Sequence, residues 1–470
     1  MADPVGKRGP ALRPGDRVRL EVEALVGGGE GLGRTDGMAV FVPLSVPGDV
    51  VEARVISTKP GYARALVEAV VQPSPDRVQP PCPVFGRCGG CQWQVVAADA
   101  QLRWKTALVA EALTRLGGLE AASVLRPCLP SPEPWHYRNK VHWAVTRDAE
   151  GWRVGLYEPR SHAIVEAEAC AIQHPLLTRA QDAVRALLTE FDPPPYDEQR
   201  GTGFLRSAFA KVGHRTGEVM LGLVARKPEL RREKEWIAAA RRLLPELTTF
   251  VLNVNPGSGN KLLGAETRTL FGPGAIVESL GAGLRLTISP LSFFQVNGAA
   301  VEVLYEEVVR ACDLPGEPAA EGPRWVDAYG GTGAIALYLA ARGAGHVTGL
   351  EVVGAATADA RANAAANGLA GRTTFHTGRV ETLLPGLIAR GERPDGVVLD
   401  PPRKGCEPAV LEALLAAAPR RVVYVSCNPA TLARDLRVLV AGGYRLTHVQ
   451  PVDMFPQTSH VECVARLERA

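Results

Sequence analysis

One cysteine, Cys427, stands between an apolar run ending at Val425-Ser426 and the pair Asn428-Pro429, a helix-start signal. A thiol in that place has two readings. It is a small buried apolar residue, the usual fate of a lone cysteine. Or it is a nucleophile whose pKa the helix N-terminus lowers. The neighbouring motifs favour the second. Val397-Val398-Leu399-Asp400-Pro401-Pro402 ends another apolar run in an acid, and His346–Glu351 a third. Trp325-Val326-Asp327 ends a fourth, 24 residues before Glu351, and leads into Ala328-Tyr329-Gly330-Gly331-Thr332-Gly333. Such a turn lets backbone approach a ligand at a helix N-terminus, and an acid at Glu351 suits ribose hydroxyls. The turn alone is a weak signal, because the third glycine of a dinucleotide fingerprint is missing. Each acid alone could also be a cap or turn residue, but four polar run-ends together point to one binding rim. Near the end, Ser459-His460-Val461-Glu462-Cys463-Val464-Ala465 alternates like a strand, so His460 and Glu462 share a face. Glu462 is a candidate general base; the plain alternative is a solvent-facing strand carboxylate.

Four more cysteines form a separate group. Cys82, Cys88 and Cys91 lie within ten residues around Gly89-Gly90, with Cys170 far downstream. This arrangement points to a cluster or metal site, and four-thiol zinc is a physical rival to iron–sulfur. The spacing differs from that of radical enzymes, which excludes a radical mechanism. Cys128, Cys312, Cys406 and Cys463 have no such spacing and read as packing residues.

Elements must hold these groups in place. Residues 1–10 read as a disordered basic tail. Segments 18–26, 38–46, 49–57 and 63–71 are short alternating strands punctuated by glycine and proline, which predicts a small β-barrel. Residues 94–117 predict a helix that stops at Gly117-Gly118. Mixed strands follow over 135–290, with helical stretches near 176–191 and 229–244. From about 300, helix patterns (299–312, 335–343, 355–368, 408–418, 429–441) alternate with short apolar strands (324–327, 346–351, 396–400, 421–426), a rhythm that predicts a parallel sheet with helices on both faces. The 470 residues suit about three domains, and 46% apolar with 22% charged residues excludes a disordered, collagenous or coiled-coil chain. A net charge of +3 permits a nucleic-acid partner without requiring one. No secretory signal or membrane span is read, so a cytoplasmic, reducing setting is expected, in which nine cysteines are not disulfides. Trp135 to Trp143, with Arg147, Trp152, Arg153, Tyr157 and Arg160, interleaves aromatic and basic residues as RNA-binding surfaces do, although an inward-packed strand beside solvated arginines gives the same text. Arg403 and Lys404, beside Asp400, are better placed to hold a target nucleotide. The barrel contributes Arg13, Arg17, Arg19, Arg34 and Lys59, balanced by its acids.

Leu399-Asp400-Pro401-Pro402-Arg403-Lys404-Gly405 and Tyr424-Val425-Ser426-Cys427-Asn428-Pro429, continuing to Asp435, resemble the two signatures of RNA uracil-5-methyltransferases, and Ser292-Phe293-Phe294-Gln295-Val296-Asn297 resembles a third. The barrel resembles a TRAM domain. The resemblance spans about residues 10 to 470. It implies an α/β fold: a Rossmann-like S-adenosylmethionine-dependent methyltransferase domain (286–470), an N-terminal TRAM or OB-like barrel (10–73), and a mixed α+β central domain (74–285) whose helix 94–117 packs on the catalytic domain. It also implies that Gln295, Tyr329, Glu351 and Asp400 contact S-adenosylmethionine, that Cys427 is the nucleophile, and that Glu462 is the base. The metal ligands would be Cys82, Cys88, Cys91 and Cys170, holding a [4Fe–4S] cluster of structural role. Gly330 stands where many members have Cys and Ala334 where some have Asn, and Arg379 would line the adenine region. The implied activity is methylation of uridine carbon 5 in RNA by a monomer, with 23S rRNA favoured. The rivals are tRNA uridine-54, a catalytically silent iron–sulfur RNA-binding protein, and an amino-group methyltransferase acting on protein or a small molecule. The last would need no Cys427, and its pocket has an aromatic residue where Arg403 stands here.

Overall fold

The computed structural model describes residues 12–259, 261–316 and 321–469; the expected basic tail lies outside them. Five strands, β1 (Arg17–Leu25), β2 (Gly31–Thr35), β3 (Met38–Val42), β4 (Val50–Lys59) and β5 (Tyr62–Gln72), close a barrel in the order β1-β2-β3-β5-β4. Strict alternation does the work in β1: Val18, Leu20 and Val22 are buried while Arg17, Arg19 and Glu21 face out. The glycine run after β1 is a turn. It leads into β2, a strand that alternation did not predict because Gly31 and Gly33 interrupt it. A Cβ on Gly33 would lie 2.3 Å from the Glu21 carbonyl oxygen, so the close strand pairing requires glycine there.

Helix α1 (Ala98–Glu111) continues as a π-helical turn over Ala112–Gly117 and ends at Gly118, with φ 62°. It packs against the C-terminal sheet domain, where Val109 and Leu113 share a core with Leu432 and Leu436. The central sheet runs β12-β11-β10-β9-β6-β7-β8. Its elements are β6 (Lys140–Asp148), β7 (Gly151–Tyr157), β8 (Ile164–Val165), α2 (Pro175–Phe191), β9 (Leu205–Val212), β10 (Val219–Ala225), α3 (Glu233–Leu243), β11 (Leu247–Val254) and β12 (Glu266–Phe271). Both helices bury an apolar stripe on one face of it. On the other face Phe209, Met220, Val224 and Val251 merge with the core of the C-terminal sheet. A two-stranded ribbon, β13 (Ile276–Ser279) and β14 (Arg285–Ile288), and helix α4 (Ala300–Cys312) lead onward.

The last sheet is formed by β15 (Arg324–Ala328), β16 (His346–Glu351), β17 (Thr373–Thr377), β18 (Gly396–Leu399), β19 (Arg421–Ser426), β20 (Tyr444–Val452) and β21 (Glu462–Arg469). Helices α5 (Ala334–Ala341), α6 (Gly354–Ala366), α7 (Val380–Ala389), α8 (Pro408–Ala417) and α9 (Pro429–Ala441) connect them. The strand order is β17-β16-β15-β18-β19-β21-β20. The first five strands are parallel; β15, β16, β18 and β19 are buried on both faces, whereas the edge strand β17 (TTFHT) is partly exposed. The expected parallel rhythm holds for these five strands, and the sheet gains an antiparallel edge that was not read from the sequence. β21 runs antiparallel between β19 and β20, so the chain's end returns through the sheet. Among the described residues no helix is long and apolar enough to cross a membrane.

Candidate active site

The rim is built by strand ends. After β15 the chain turns sharply at Tyr329, whose φ of 71° is unusual for a side chain of that size, and through Gly331 (53°) and Gly333 (81°) into α5. The Gly331 amide donates to Glu351 Oε2 at 3.0 Å and the Val353 amide to Oε1 at 2.7 Å. Glu351 is thereby fixed at the end of β16 beside the glycine turn. Behind the turn, Asp327 is fully buried; its Oδ2 accepts the Ala336 amide at 3.0 Å and its Oδ1 has no partner. Burial and the nearby Asp400 push its carboxyl up to about 7.

The two signature segments are one piece of structure. Asn428 caps α9 through the Ala430 amide (3.1 Å) and donates to the Arg403 carbonyl (3.0 Å). Thr431 donates to the same carbonyl at 3.3 Å, and Arg434 to the Lys404 carbonyl at 3.0 Å. Buried Asp435 accepts from the Cys406 amide (2.9 Å) and the Tyr424 hydroxyl (2.6 Å). The first turn of α9 therefore grips the loop after Asp400, which explains why both motifs occur together.

Cys427 follows β19 directly. The register pairs Ser426 with Cys463, which makes Cys427 and Glu462 the next positions on the two sides of the antiparallel junction of β19 and β21, near enough for the Glu462 charge to act on the thiol. Glu462 is buried, and burial with Asp400 pushes its carboxyl well up, while Arg403 draws it down. Burial likewise raises Asp400. The Cys427 thiol is pushed up to about 11 by burial and by the carboxylates Glu462 and Asp400, against the pull of Arg403. This corrects the expectation of a thiol acidified by the helix N-terminus: desolvation and two acids outweigh the helix. Arg403 also lies 3.1 Å from His460 Nδ1.

One cavity of about 1240 Å³ joins these parts. Gln295, Tyr329, Glu351, Asp400, Cys427 and Glu462 all line it, as do Cys82, Cys88, Cys91 and Cys170. Gln295 is held there by its neighbours. Its carbonyl accepts Asn139 Nδ2 at 3.1 Å, and Asn297 accepts the Ala300 amide at the start of α4 (2.9 Å) while donating to Ser131 Oγ and the Met454 carbonyl, both at 3.1 Å. Arg379 lines the cavity at the start of α7, whereas Ala334 is buried at the start of α5 and is absent from its wall. Two apolar side chains, Leu262 and Val352, escaped the sequence reading, and Phe293, quoted within the third signature, was given no role there. Phe293 (62% exposed), Leu262 (59%) and Val352 (60%) line the cavity, and no periodicity marks them because they sit in loops.

The aromatic–basic run divides. Tyr137, Trp143 and Trp152 pack inward, Arg153 is paired with Asp148, Glu150 and Glu166, and Arg147 with Asp192. Arg138 and Lys140 remain on the cavity wall. The four-cysteine unit presents only thiols. The Cys91 thiol is pushed up to about 12 by burial and by Cys170, Cys88 and Cys82, so the four sense one another. Backbone amides of Ile172 and Gln173 point to the Cys170 sulfur, and that of Gly90 to Cys88. Among the described residues no three such side chains converge tightly enough to hold a single ion. An all-thiol set with amide donors to sulfur has the chemistry of a cluster site.

Comparison with known proteins agrees with this geometry. Residues 389–470 match the family described as tRNA (uracil-5-)-methyltransferase, and residues 11–67 match the TRAM domain. An uncharacterized RNA methyltransferase of Halalkalibacterium halodurans is 42% identical over 464 residues, 99% of each chain. One of Gloeobacter violaceus is 44% identical over 462 residues, 98% of each. The crystal structure of Pyrococcus abyssi tRNA (uracil-54, C5)-methyltransferase in complex with S-adenosyl-L-homocysteine superposes with a TM-score of 0.74 at 27% identity, over 96% of this chain and 100% of that one. Full-length likeness, the two matched segments and the rim geometry converge: this chain belongs to the RNA uracil-5-methyltransferase family and carries an N-terminal TRAM domain.

Proposed function

We propose that the protein methylates carbon 5 of a uridine in 23S rRNA through a covalent bond between Cys427 and carbon 6 of the base. The observation that carries this reading is the meeting of Cys427 and Glu462 across β19 and β21, beside Asp400, in one cavity. Carbon 5 of uracil is a weak nucleophile. Addition of the Cys427 thiolate to carbon 6 turns the ring into an enolate, and carbon 5 then takes a methyl group. Glu462 removes the proton left on carbon 5. The electrons of that C–H bond restore the 5,6 double bond, and the sulfur of Cys427 leaves with the pair it brought. S-adenosylmethionine would supply the electrophilic methyl group. Gln295, Tyr329, Glu351 and Asp400 would hold it at the rim, Glu351 being already oriented by the glycine turn. The thiol's raised pKa means that its proton must pass to solvent or to a neighbouring carboxylate of the site as the substrate binds. Arg403, which already lowers that pKa, supports the thiolate.

The cavity exceeds the usual 300–1,000 Å³ of a one-ligand site. That suits a methyl donor together with a nucleotide flipped out of the RNA. Arg138, Lys140, Arg403 and Lys404 supply cations for its phosphates. Cys82, Cys88, Cys91 and Cys170 would hold a [4Fe–4S] cluster that ties residues 82–91 to the loop at 170. We assign three units, 10–73, 74–285 and 286–470, in a cytoplasmic monomer. The P. abyssi enzyme's tRNA substrate makes tRNA uridine-54 the competing reading. Labelled methyl donor with 23S rRNA fragments and tRNA transcripts tests both. 5-Methyluridine should form in the rRNA and vanish with Cys427→Ala; undiminished methylation by that variant removes the nucleophile.

A further inference from the structure

The loop that delivers His460 and Glu462 is gripped by the cysteine-bearing segments, and Gln457 is the point of grip. Gln457 is buried, 3% exposed, with φ 70°. Its carbonyl accepts the amides of Gln92 (3.1 Å) and Trp93 (2.9 Å), the two residues directly after Cys91. Its own amide donates to Gln101 Oε1 at 2.9 Å, and Gln101 Nε2 donates back to Gln457 Oε1 at 2.9 Å. The neighbouring Pro456 carbonyl accepts the hydroxyl of buried Tyr137 at 2.9 Å. Tyr137 lies between His136 and Arg138, whose amides donate to Ala171 (3.0 Å) and Ile172 (2.8 Å), the residues directly after Cys170. Both arms of the four-cysteine unit thus end on residues 456–457, three to six positions before His460 and Glu462.

We propose that Gln457 is a positioning residue that transmits the order of the four-cysteine unit to Glu462, and so governs release of the methylated RNA from Cys427 more than its capture. The inference rests on the reading of Glu462 as the base. A base displaced by about 1 Å loses up to a hundredfold in rate, while sulfur addition and methyl transfer, made by Cys427 on β19, are spared. Gln101→Met keeps the volume but cannot form the paired amide bonds. Gln457→Gly keeps the backbone at positive φ and removes the side chain.

Two measurements test this. In the first, the initial turnover of methyl transfer is separated from steady turnover, with gel analysis of denaturant-resistant RNA–protein adduct. Both variants should keep the first turnover within about twofold, slow steady turnover about tenfold, and accumulate adduct. A parallel fall of both phases, or no change in either, overturns the proposal. Glu462→Gln is run alongside: if it does not accumulate adduct, the base assignment fails whatever Gln457 does. In the second, hydrogen exchange of amides 455–460 is followed in Gln101→Met and Cys91→Ser. Exchange should quicken about tenfold in both. Unchanged exchange overturns the mechanical link independently of catalysis.

Discussion

Replacing Glu462 by Gln should make Cys427 more acidic while halting turnover. Ser426 pairs with Cys463, so Cys427 and Glu462 are the next positions along the two chains, and the Glu462 charge acts on the thiol. The Glu462 carboxylate is one of the charges that, after burial, push the thiol up to about 11. Taking about 5 Å, the middle of the roughly 4–6 Å range over which a neighbouring charge shifts a pKa, two unit charges at an effective dielectric of about 20 to 40 repel by about 1.7–3.3 kcal/mol. At 1.36 kcal/mol per unit, that is about one to two pKa units. Burial and Asp400 remain in the variant, so the thiol should settle between about 9 and 10 and not fall to neutrality. The assay is the rate of iodoacetamide alkylation of Cys427 against pH, read by peptide mass in the absence of RNA. At pH 8 the variant should react about 10- to 100-fold faster. Superimposable pH profiles for wild type and variant would refute the juxtaposition of the two groups, whatever the enzyme's substrate.

Three further predictions concern the frame. Gly405 has φ 79°, and a Cβ there would lie 2.5 Å from Arg434 Nη2 and 2.6 Å from Asp435 Oδ2, so Gly405→Ala should lower unfolding stability in urea by about 1–3 kcal/mol and depress turnover. Lys105 is fully buried and pairs with Asp453, also donating to the Phe455 carbonyl at 3.0 Å. Lys105→Met should cost about 3–5 kcal/mol in the same assay, and Asp453→Leu in the same chain should recover part of it. Glu462 binds a proton more tightly folded than unfolded, where its pKa is about 4.5, so its burden on stability is absent at low pH and grows as pH rises above 4.5 toward the folded value. Glu462→Gln should therefore gain stability over wild type across that rise and show no gain at pH 3; a constant difference would contradict the raised carboxyl.

Legibility in the sequence followed the strength of the local signal. The apolar runs of β15, β16, β18 and β19 were readable because strands buried on both faces carry mostly apolar text; those of β16, β18 and β19 lead into the rim residues Glu351, Asp400 and Cys427, whereas Asp327 at the end of β15 lies buried behind the turn, away from the cavity wall. Strand β2 was hidden by its two glycines, and α7 by Pro385 inside it. The β19–β21 pairing, on which the meeting of Cys427 and Glu462 depends, is a long-range register that no local pattern encodes. For the same reason the helix-start argument misjudged Cys427. It counted the dipole that the sequence announces and missed the burial and the acids that tertiary packing brings. Phe293 and Leu262 line the cavity from loops, where periodicity is silent.

The account stands on a sulfur–carbon bond to the target base, and 5-fluorouridine reports it directly. Fluorine on carbon 5 replaces the proton that Glu462 would remove, so the reaction should stall after methyl transfer. Wild-type protein incubated with methyl donor and 5-fluorouridine-substituted 23S rRNA fragments, then digested with trypsin and nuclease, should yield the Cys427 peptide heavier by one methylated fluorouridine nucleotide. An unmodified Cys427 peptide, with the mark on another residue or on none, would contradict it.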